Sequence, residues 1–599
     1  MLRLFFFFTL LLLSNTAWSQ SNRTPNTSGL TNYLNYTYIP KERFVNQQFM
    51  DVNDALAYAN SVTPLQSGPR GQQTSVFTRG TNSSHTLALL NGVPINDQST
   101  TNGSYDFGQD FLSNLTGIEV YRGAAAAHFG PSAIGGAVNF ITDVVRENQV
   151  ANTTAVGSGN STVGNLFLEH DGWVAGLRGG RSAAKDASAL AGAGEKDGVI
   201  NNAGVLSLSK RIDSEWAFRS TVLGRFNQTD LDGHSRAQQV GYTSEQALMA
   251  LQLGLDQKTM DYKNFFTLHS HKHDRQYFSP NNEHDQYASW NRTARAEHQR
   301  DGDGRFSWGL GVETKLDTAK FTNRGSYESS LNGSYSNHAI FGNIGYRFTD
   351  DWIGSLHLRG DNNSVIGRND SLRMGLTKQN LLPDLTARAS ISQGFRSPSL
   401  YELYGRDNYG TQGNPSLRAE HSNGREIGLD YKLSNDFMLS TTYFTNKITG
   451  LIDYKDSTYV NTTGMATQQG TEISLSRHTD SGGLQVFATQ LESLKANGQP
   501  QLRRPEHVLG ANLYQRVTDD WSLFGNYKFF GQHLDINNDT YDNISMPETH
   551  MLDVGVGRRI WGSYSVNLSV KNLLDTQYQR PHGFQQPGRS FALTLSSSF

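Results

Sequence analysis

The sequence predicts an all-β transmembrane barrel of about 22 antiparallel strands, with a mixed α/β domain ahead of it, in the size class whose lumen is plugged. Three observations carry this. The chain opens on an export leader. The rest combines low mean hydropathy (−0.53) and 36% apolar content with 59 Gly, 25 Tyr and 31 Phe. Its C-terminal half alternates apolar and polar residues with period 2. A barrel in lipid needs only every second residue to be apolar, so it can cross a membrane at a hydropathy that no helical bundle could.

The leader comes first. Arg3 precedes an apolar run from Leu4 to Leu13, broken only by Thr9, and Ala17-Trp18-Ser19 supplies a small-x-small cleavage site. This is the layout of a secretory signal peptide, too short to span a bilayer, so residues 1–19 are set outside the fold. Residues 20–45 form a short link, too few for a folded domain. Residues 46–144 hold Gly-rich turns and short apolar strands such as Thr86–Leu90, closed by Asn91-Gly92, with a short helix expected within Phe49–Ala59. That is an ordinary size for a compact mixed α/β domain. The Gly/Ala-rich stretch Phe129–Ala137 predicts close backbone packing.

Residues 145–599 read as strands. Tyr564–Lys571 alternates without error; Trp521, Leu523, Tyr527 and Phe529 share one face; Phe591, Leu593 and Leu595 share another, with Phe599 on the same side. A turn pattern recurs in Ile212–Trp216, Phe348–Trp352, Leu433–Phe437 and Val517–Trp521: an apolar residue, three short polar ones, then an aromatic. Asp, Asn and Ser favour tight turns, and flanking aromatics suit a membrane interface, so these are read as short periplasmic hairpins. The longer polar stretches Asp274–Asn291, Asp361–Asp370 and Gln532–Asp542 are read as extracellular loops. At roughly 20 residues per strand and connection, the region allows about 22 strands.

Several function classes fall away. The chain has no cysteine, which excludes disulfide staples, thiolate metal sites and Cys nucleophiles. A net charge of −3 gives no basic footprint for nucleic acid. No Ser-His-Asp set, phosphate loop or paired-carboxylate motif stands out, so no enzyme activity is expected. His269, His271 and His273 alternate and would share a strand face, which reads as polar lumen or loop surface before it reads as a metal site.

The motifs are more specific. Val76-Phe77-Thr78-Arg79-Gly80, Leu89–Pro94, Ile118–Gly123 and Phe129–Thr142 in the first domain, then Gly394–Tyr404, Gly413–Leu417, Asn572–Asp575 and Pro587-Gly588-Arg589 in the second, resemble the plug and barrel boxes of TonB-dependent receptors, in the family's order. Phe77–His85 is most similar to the cobalamin-receptor branch; Ile448–Tyr454 is similar too, but such barrel stretches occur across the wider family and discriminate ligand poorly. The resemblance implies energised uptake of a corrinoid ligand across the bacterial outer membrane. The implied partners are the TonB–ExbB–ExbD complex, a corrinoid or other scarce nutrient, outer-membrane lipid and a surface lipoprotein. Residues 20–45 become the coupling segment, with Asn35–Ile39 as candidate motif. Ligand contacts are expected from the plug tips: Gln66, Ser67, Arg70 and Gln72, then Asn96, Asp97 and Asn102. Loop carboxylates Glu195, Asp197, Asp230 and Asp232 are expected to hold structural calcium, since hard oxygen ligands suit that ion. Arg79 and Arg122 of the plug, with Glu402 and Glu420 of the barrel, are expected to form ion pairs between the two.

Other functions remain to be weighed. A siderophore or haem receptor is the alternative, though Ser399–Gly413 lacks the histidine that haem receptors place between their boxes. A surface signal transducer of this family would carry a further domain ahead of the plug. A passive pore is disfavoured by a filled lumen.

Overall fold

The computed structural model describes residues 35–598, apart from 111, 147, 157–158, 186–195, 232–240, 281–283, 302–303, 325–328 and 408–409. The leader, most of the link, Glu195, Asp232 and Phe599 therefore lie outside the described residues.

Residues from 149 onward form a closed antiparallel barrel of 22 strands. Closure is made by Gln149–Val156 against Ser590–Ser598, the first and last strands. Outward positions carry the apolar half of each alternation: Leu310, Val312 and Leu316 on one strand, Ile340 and Ile344 on the next. Inward positions are polar and buried, as with Asn291, Thr293, Arg295, Glu297 and Gln299 on His284–Asp301. No helix among the described residues is long and apolar enough to cross a membrane.

All four Asp/Ser-rich pentapeptides are tight hairpins at one end of the barrel. In each the first residue donates its N–H to the carbonyl of the closing aromatic, Ile212 to Trp216 at 2.9 Å, Phe348 to Trp352 at 2.9 Å, Leu433 to Phe437 at 3.0 Å and Val517 to Trp521 at 2.8 Å. Two stretches read from sequence as loops are instead mostly strand. Tyr262–Phe278 stays paired with His284–Asp301 almost to its tip, and Trp352–Asn363 is joined to Gly367–Leu382 by a tight turn. Side chains turn polar on both faces where a strand rises beyond lipid, while the backbone ladder continues unchanged. Gln532–Asp542 does contain a loop, built on the small hairpin His533–Ile536 with Asn543–Met546.

The plug sits inside this cylinder. Its mixed five-stranded sheet runs in the order Asn35–Pro40, Gly117–Arg122, Gly136–Ile141, Thr86–Leu90, Val93–Pro94, with one parallel pairing, Thr86–Leu90 beside Gly136–Ile141. Helix Val52–Ala57 starts at Asp51, whose carboxylate accepts the Asp54 N–H at 2.9 Å. Its apolar side brings Val52 and Leu56 into the core cluster that also holds Val76, Ile118, Val120 and Val138. The Gly/Ala-rich segment packs as closely as its composition requires: a Cβ on Gly135 would lie 2.1 Å from the Thr81 hydroxyl oxygen. Plug core and barrel wall share one apolar cluster, which takes in Val205, Leu223, Leu248, Phe487, Val508 and Phe530 from the wall.

Candidate functional site

Chain direction fixes which end is which. Strands that leave the short hairpins, such as Tyr262–Phe278 after Thr259–Asp261, rise to the end with the longer connections. The plug loops around residues 66–73 and 95–104 face that end. Between them and the barrel lies a cavity of about 220 Å³. Ser67, Gln72 and Asp97 line it from the plug, and Gln246, His273 and Arg275 from the upper ends of barrel strands.

Asp97 anchors this arrangement. Its carboxylate accepts from Arg275 Nε at 2.8 Å, from the Ser289 hydroxyl at 2.7 Å and from the Ser99 hydroxyl at 2.6 Å. Burial alone would raise this carboxyl, but Arg275 and its hydrogen bonds bring it down to about 2. Gln72 is buried and donates to the Asp230 carbonyl at 2.7 Å, tying the plug tip to the wall. Asn96 is used internally: its amide oxygen takes the Ala88 N–H and its NH₂ reaches the Gly103 carbonyl. Arg70 pairs with Asp51 at 3.0 Å, Gln66 donates to the Pro69 carbonyl, and Asn102 donates to Ser83 while its own carbonyl accepts from Arg396. The structure thus brings Ser67, Gln72 and Asp97 to the cavity and assigns Asn96 to holding loop shape. Sequence reading missed Gln109, Arg225, Ser244 and Gln246, which line the same space. For Arg225, Ser244 and Gln246 the only signal was inward parity on barrel strands, and Gln109, in the short plug turn Phe107–Gln109, carried none.

Both arginines of the cavity are paired, and a further carboxylate, Asp106, is held by the Thr74 and Gly108 N–H groups. Arg275 is tied to Asp97, and Arg225 donates to Asp110 at 2.6 Å and to the Tyr105 hydroxyl at 2.9 Å. Around those pairs stand the neutral amides of Gln72, Gln73, Gln109 and Gln246.

The remaining expected residues fall as follows. Asp197 is buried, and Asp230 Oδ2 accepts the N–H of the next residue, Gly198, at 3.0 Å, so the two residues lie close in the upper part of neighbouring strands. Glu195 and Asp232 lie outside the described residues. Among the described residues no group of three or more metal-ligating side chains comes together. His269, His271 and His273 are buried against the plug: His273 contacts the Ile95 carbonyl at 2.8 Å, and His269 and His271 hydrogen-bond each other at 3.1 Å.

Arg79 and Arg122 reach the barrel, but through other partners than expected. Arg79 Nε lies 2.7 Å from Glu472, and its Nη1 lies 3.0 Å from Glu426; Arg122 stands 3.8 Å from Glu472. Burial by itself would lower Arg79, but Glu426 and Glu472 raise it, whereas burial draws Arg122 down to about 10. Glu420 crosses to the plug through His85 at 2.6 Å. Glu402 stays within the barrel, because it forms a capping box with Ser399 at helix Leu400–Tyr404 and receives both Arg396 Nη atoms. Candidate coupling motif Asn35–Ile39 is the edge strand of the plug sheet, paired with Gly117–Arg122.

The comparisons agree with this architecture. A family described as "TonB dependent receptor-like, beta-barrel" matches residues 180–573, and "TonB-dependent Receptor Plug Domain" matches residues 33–137. The Vitamin B12 transporter BtuB of Vibrio cholerae serotype O1 is 25% identical, over 94% of this chain and 92% of its own. Among solved structures, a mutant of the ferric enterobactin receptor PfeA of Pseudomonas aeruginosa superposes with TM-score 0.81 at 19% identity, covering 95% and 99% of the two chains. The siderophore receptor PirA of Acinetobacter baumannii gives 0.78 at 18%, over 94% and 98%. At those identities the likeness speaks for fold alone.

Proposed function

Because this chain belongs to the TonB-dependent receptors, we propose that it draws a corrinoid, cobalamin-like ligand across the bacterial outer membrane, energised by the TonB–ExbB–ExbD complex. The observation that carries the ligand class is the chemistry of the outer cavity. Both of its guanidinium groups are already neutralised by plug carboxylates, and the rest of the lining is mostly amide and hydroxyl, with the Asp106 carboxylate and the His273 imidazole beside them. Such a lining suits a neutral, amide-rich solute better than a polyanionic ferric chelate. Its volume of about 220 Å³ lies below the roughly 300–1,000 Å³ of a whole-ligand pocket. It would therefore receive one edge of a large ligand resting on the plug apex. Likeness to a vitamin B12 transporter over nearly the full chain supports the same reading.

A siderophore is the second reading. One observation favours it: Arg275 stands 5.3 Å from the Tyr287 ring and 5.9 Å from the Tyr277 ring, an arrangement that suits an aromatic anion. Titrating detergent-solubilised protein with cyanocobalamin and, separately, with a ferric catecholate decides between them. Cobalamin binding at or below micromolar concentration is expected. Catecholate binding without cobalamin binding would reverse the assignment.

Structural calcium belongs to the same proposal. Asp197 and Asp230 offer the hard oxygens calcium prefers and would be joined by Glu195 and Asp232, for the 6–8 ligands this ion takes. A rise in the unfolding temperature on adding calcium, lost in Asp197→Asn, is the expected result; an unchanged temperature would remove calcium from the account.

A further inference from the structure

A second cavity lies between plug and barrel wall at the opposite end of the lumen. It measures about 740 Å³, more than three times the outer cavity. That falls within the roughly 300–1,000 Å³ of small-molecule sites. Its mouth is at the short-hairpin end. Thr479 and Gly482 flank a tight turn there, and Gln379 donates its N–H to the Asp351 carbonyl of the hairpin Phe348–Trp352 at 2.8 Å. Its roof is Arg122 with Glu472, part of the ion cluster that ties the plug to the wall.

The sequence leaves this space open. Inward positions of the wall carry small hydroxyl side chains: Thr386, then Ser440, Ser474 and Ser476, with Ser440 directly paired to Ser474. The plug contributes its first strand, Asn35–Pro40, and the helix Lys41–Asn46. Arg388 pairs with Asp430 at 2.8 Å, and Arg43 donates to the amide oxygens of Gln485 and Asn512, each at 2.6 Å. Glu42, His478 and Asp480 complete the charged lining. Gln47 Oε1 and Thr377 Oγ1 belong to residues of this lining and are buried with no hydrogen-bond partner among the described residues. A roomy polar cavity with unused hydrogen-bonding capacity is filled by water or by a polar guest.

We infer that this chamber is an inward-facing binding site for the transported solute, occupied after the solute leaves the outer cavity and before its release at the short-hairpin end. The inference deepens the corrinoid reading and rests on it. What assigns one guest to both cavities is that amides and hydroxyls recur in the two linings. Amide N–H groups of the guest donate to Ser440, Ser474 and the Gln47 oxygen; its amide carbonyls accept from Arg43 and the Thr377 hydroxyl.

The chain has no cysteine, so Ser474→Cys places a unique thiol in the chamber wall. Full-length protein in mild detergent, open to solvent at both ends, is labelled with a maleimide with and without cyanocobalamin. At several times the Kd of the chamber, cyanocobalamin should slow labelling roughly fivefold. Ser214→Cys, exposed in a short hairpin outside the chamber, should label at an unchanged rate. In energised cells Ser440→Trp, which fills the chamber, should bind cyanocobalamin at the surface as the parent does, while uptake falls roughly tenfold. If that variant does not assemble, the labelling decides alone. An unprotected thiol under saturated outer binding, or parental uptake by Ser440→Trp, would show a water-filled vestibule only and overturn the site. Absence of cyanocobalamin binding at the outer cavity would instead retire the corrinoid reading and, with it, the guest assigned here.

Discussion

Plug and barrel meet on two opposing walls whose charges have opposite sense. On the wall formed by Glu420–Lys432 and Met465–Thr479, the plug supplies Arg79, Arg122 and His85, and the barrel supplies Glu426, Glu472 and Glu420. Across the lumen, on Trp216–Leu231 and Tyr262–Phe278, the plug supplies Asp110 and Asp97, and the barrel supplies Arg225 and Arg275. A plug turned by half a revolution would set arginine against arginine and carboxylate against carboxylate. Like-charge contact costs several kcal/mol and is a stronger guide to orientation than the attraction it replaces. Burial of these groups matters here: side chains of Arg79 and Glu472 are each 4% exposed, so neither can be neutralised by water if its partner leaves.

The comparison can be broken most forcefully on the wall where the plug is cationic and the barrel carries the carboxylates. Reversing Glu472 to Lys places it beside both Arg79 and Arg122 and should destabilise the seated plug by more than the ~3–5 kcal/mol expected for simply removing one partner of a buried pair. Limited proteolysis of the plug in detergent reads this directly. Adding Arg79→Glu should restore part of the loss, and an unprotected plug in the double variant would refute sign matching as the cause. Asp110→Asn on the opposite wall strands Arg225 and should cost about 2–5 kcal/mol by the same assay. Protection unchanged from the parent would show that the two walls are not equivalent.

Acid offers a finer probe. Asp97 has its pKa brought down to about 2 in the folded protein, against about 3.9 in an unfolded chain. A depressed carboxylate contributes stability that is present above the unfolded value and is lost as pH falls through the folded one. The contact between Asp97 and the arginine-bearing wall should therefore loosen between about pH 4 and pH 2, by about 2.5 kcal/mol. Asp97→Asn should flatten that part of the pH profile, and a profile identical to the parent would contradict it. The smallest effect belongs to a pair outside the lumen. Arg146 and Glu169 stand 2.6 Å apart but are 59% and 49% exposed, so Glu169→Gln should change thermal stability by less than about 1 kcal/mol.

The barrel was legible because lipid imposes a strict rule on every second residue, and the four Asp/Ser pentapeptides marked the turns. Strand length was not legible. Above the membrane the alternation disappears while hydrogen bonding persists, so Asp274–Asn291 looked like a loop. Arg79 and Arg122 were recognised as buried cations, but their partners could not be. Glu426 lies on the strand of Glu420 with the same parity and so faces inward, yet which arginine it meets depends on the plug's seating in the lumen. Glu402 misled because an i to i+3 capping contact with Ser399, a local effect, claimed it first. Asn35–Ile39 looked like a free motif because its strand partner, Gly117–Arg122, is far away in sequence.

The pairing of Gln149–Val156 with Ser590–Ser598 sets a schedule for biogenesis. The opening strand of the wall has no neighbour on one side until Ser590–Ser598 has been made and brought to it. Until then its bare hydrogen-bonding edge is a template for misassociation, which the cell must shield by chaperoning or rapid assembly. Trimming the C-terminal strand would leave a sheet unable to seal, so truncation there should be far more harmful than an equal deletion in any surface loop.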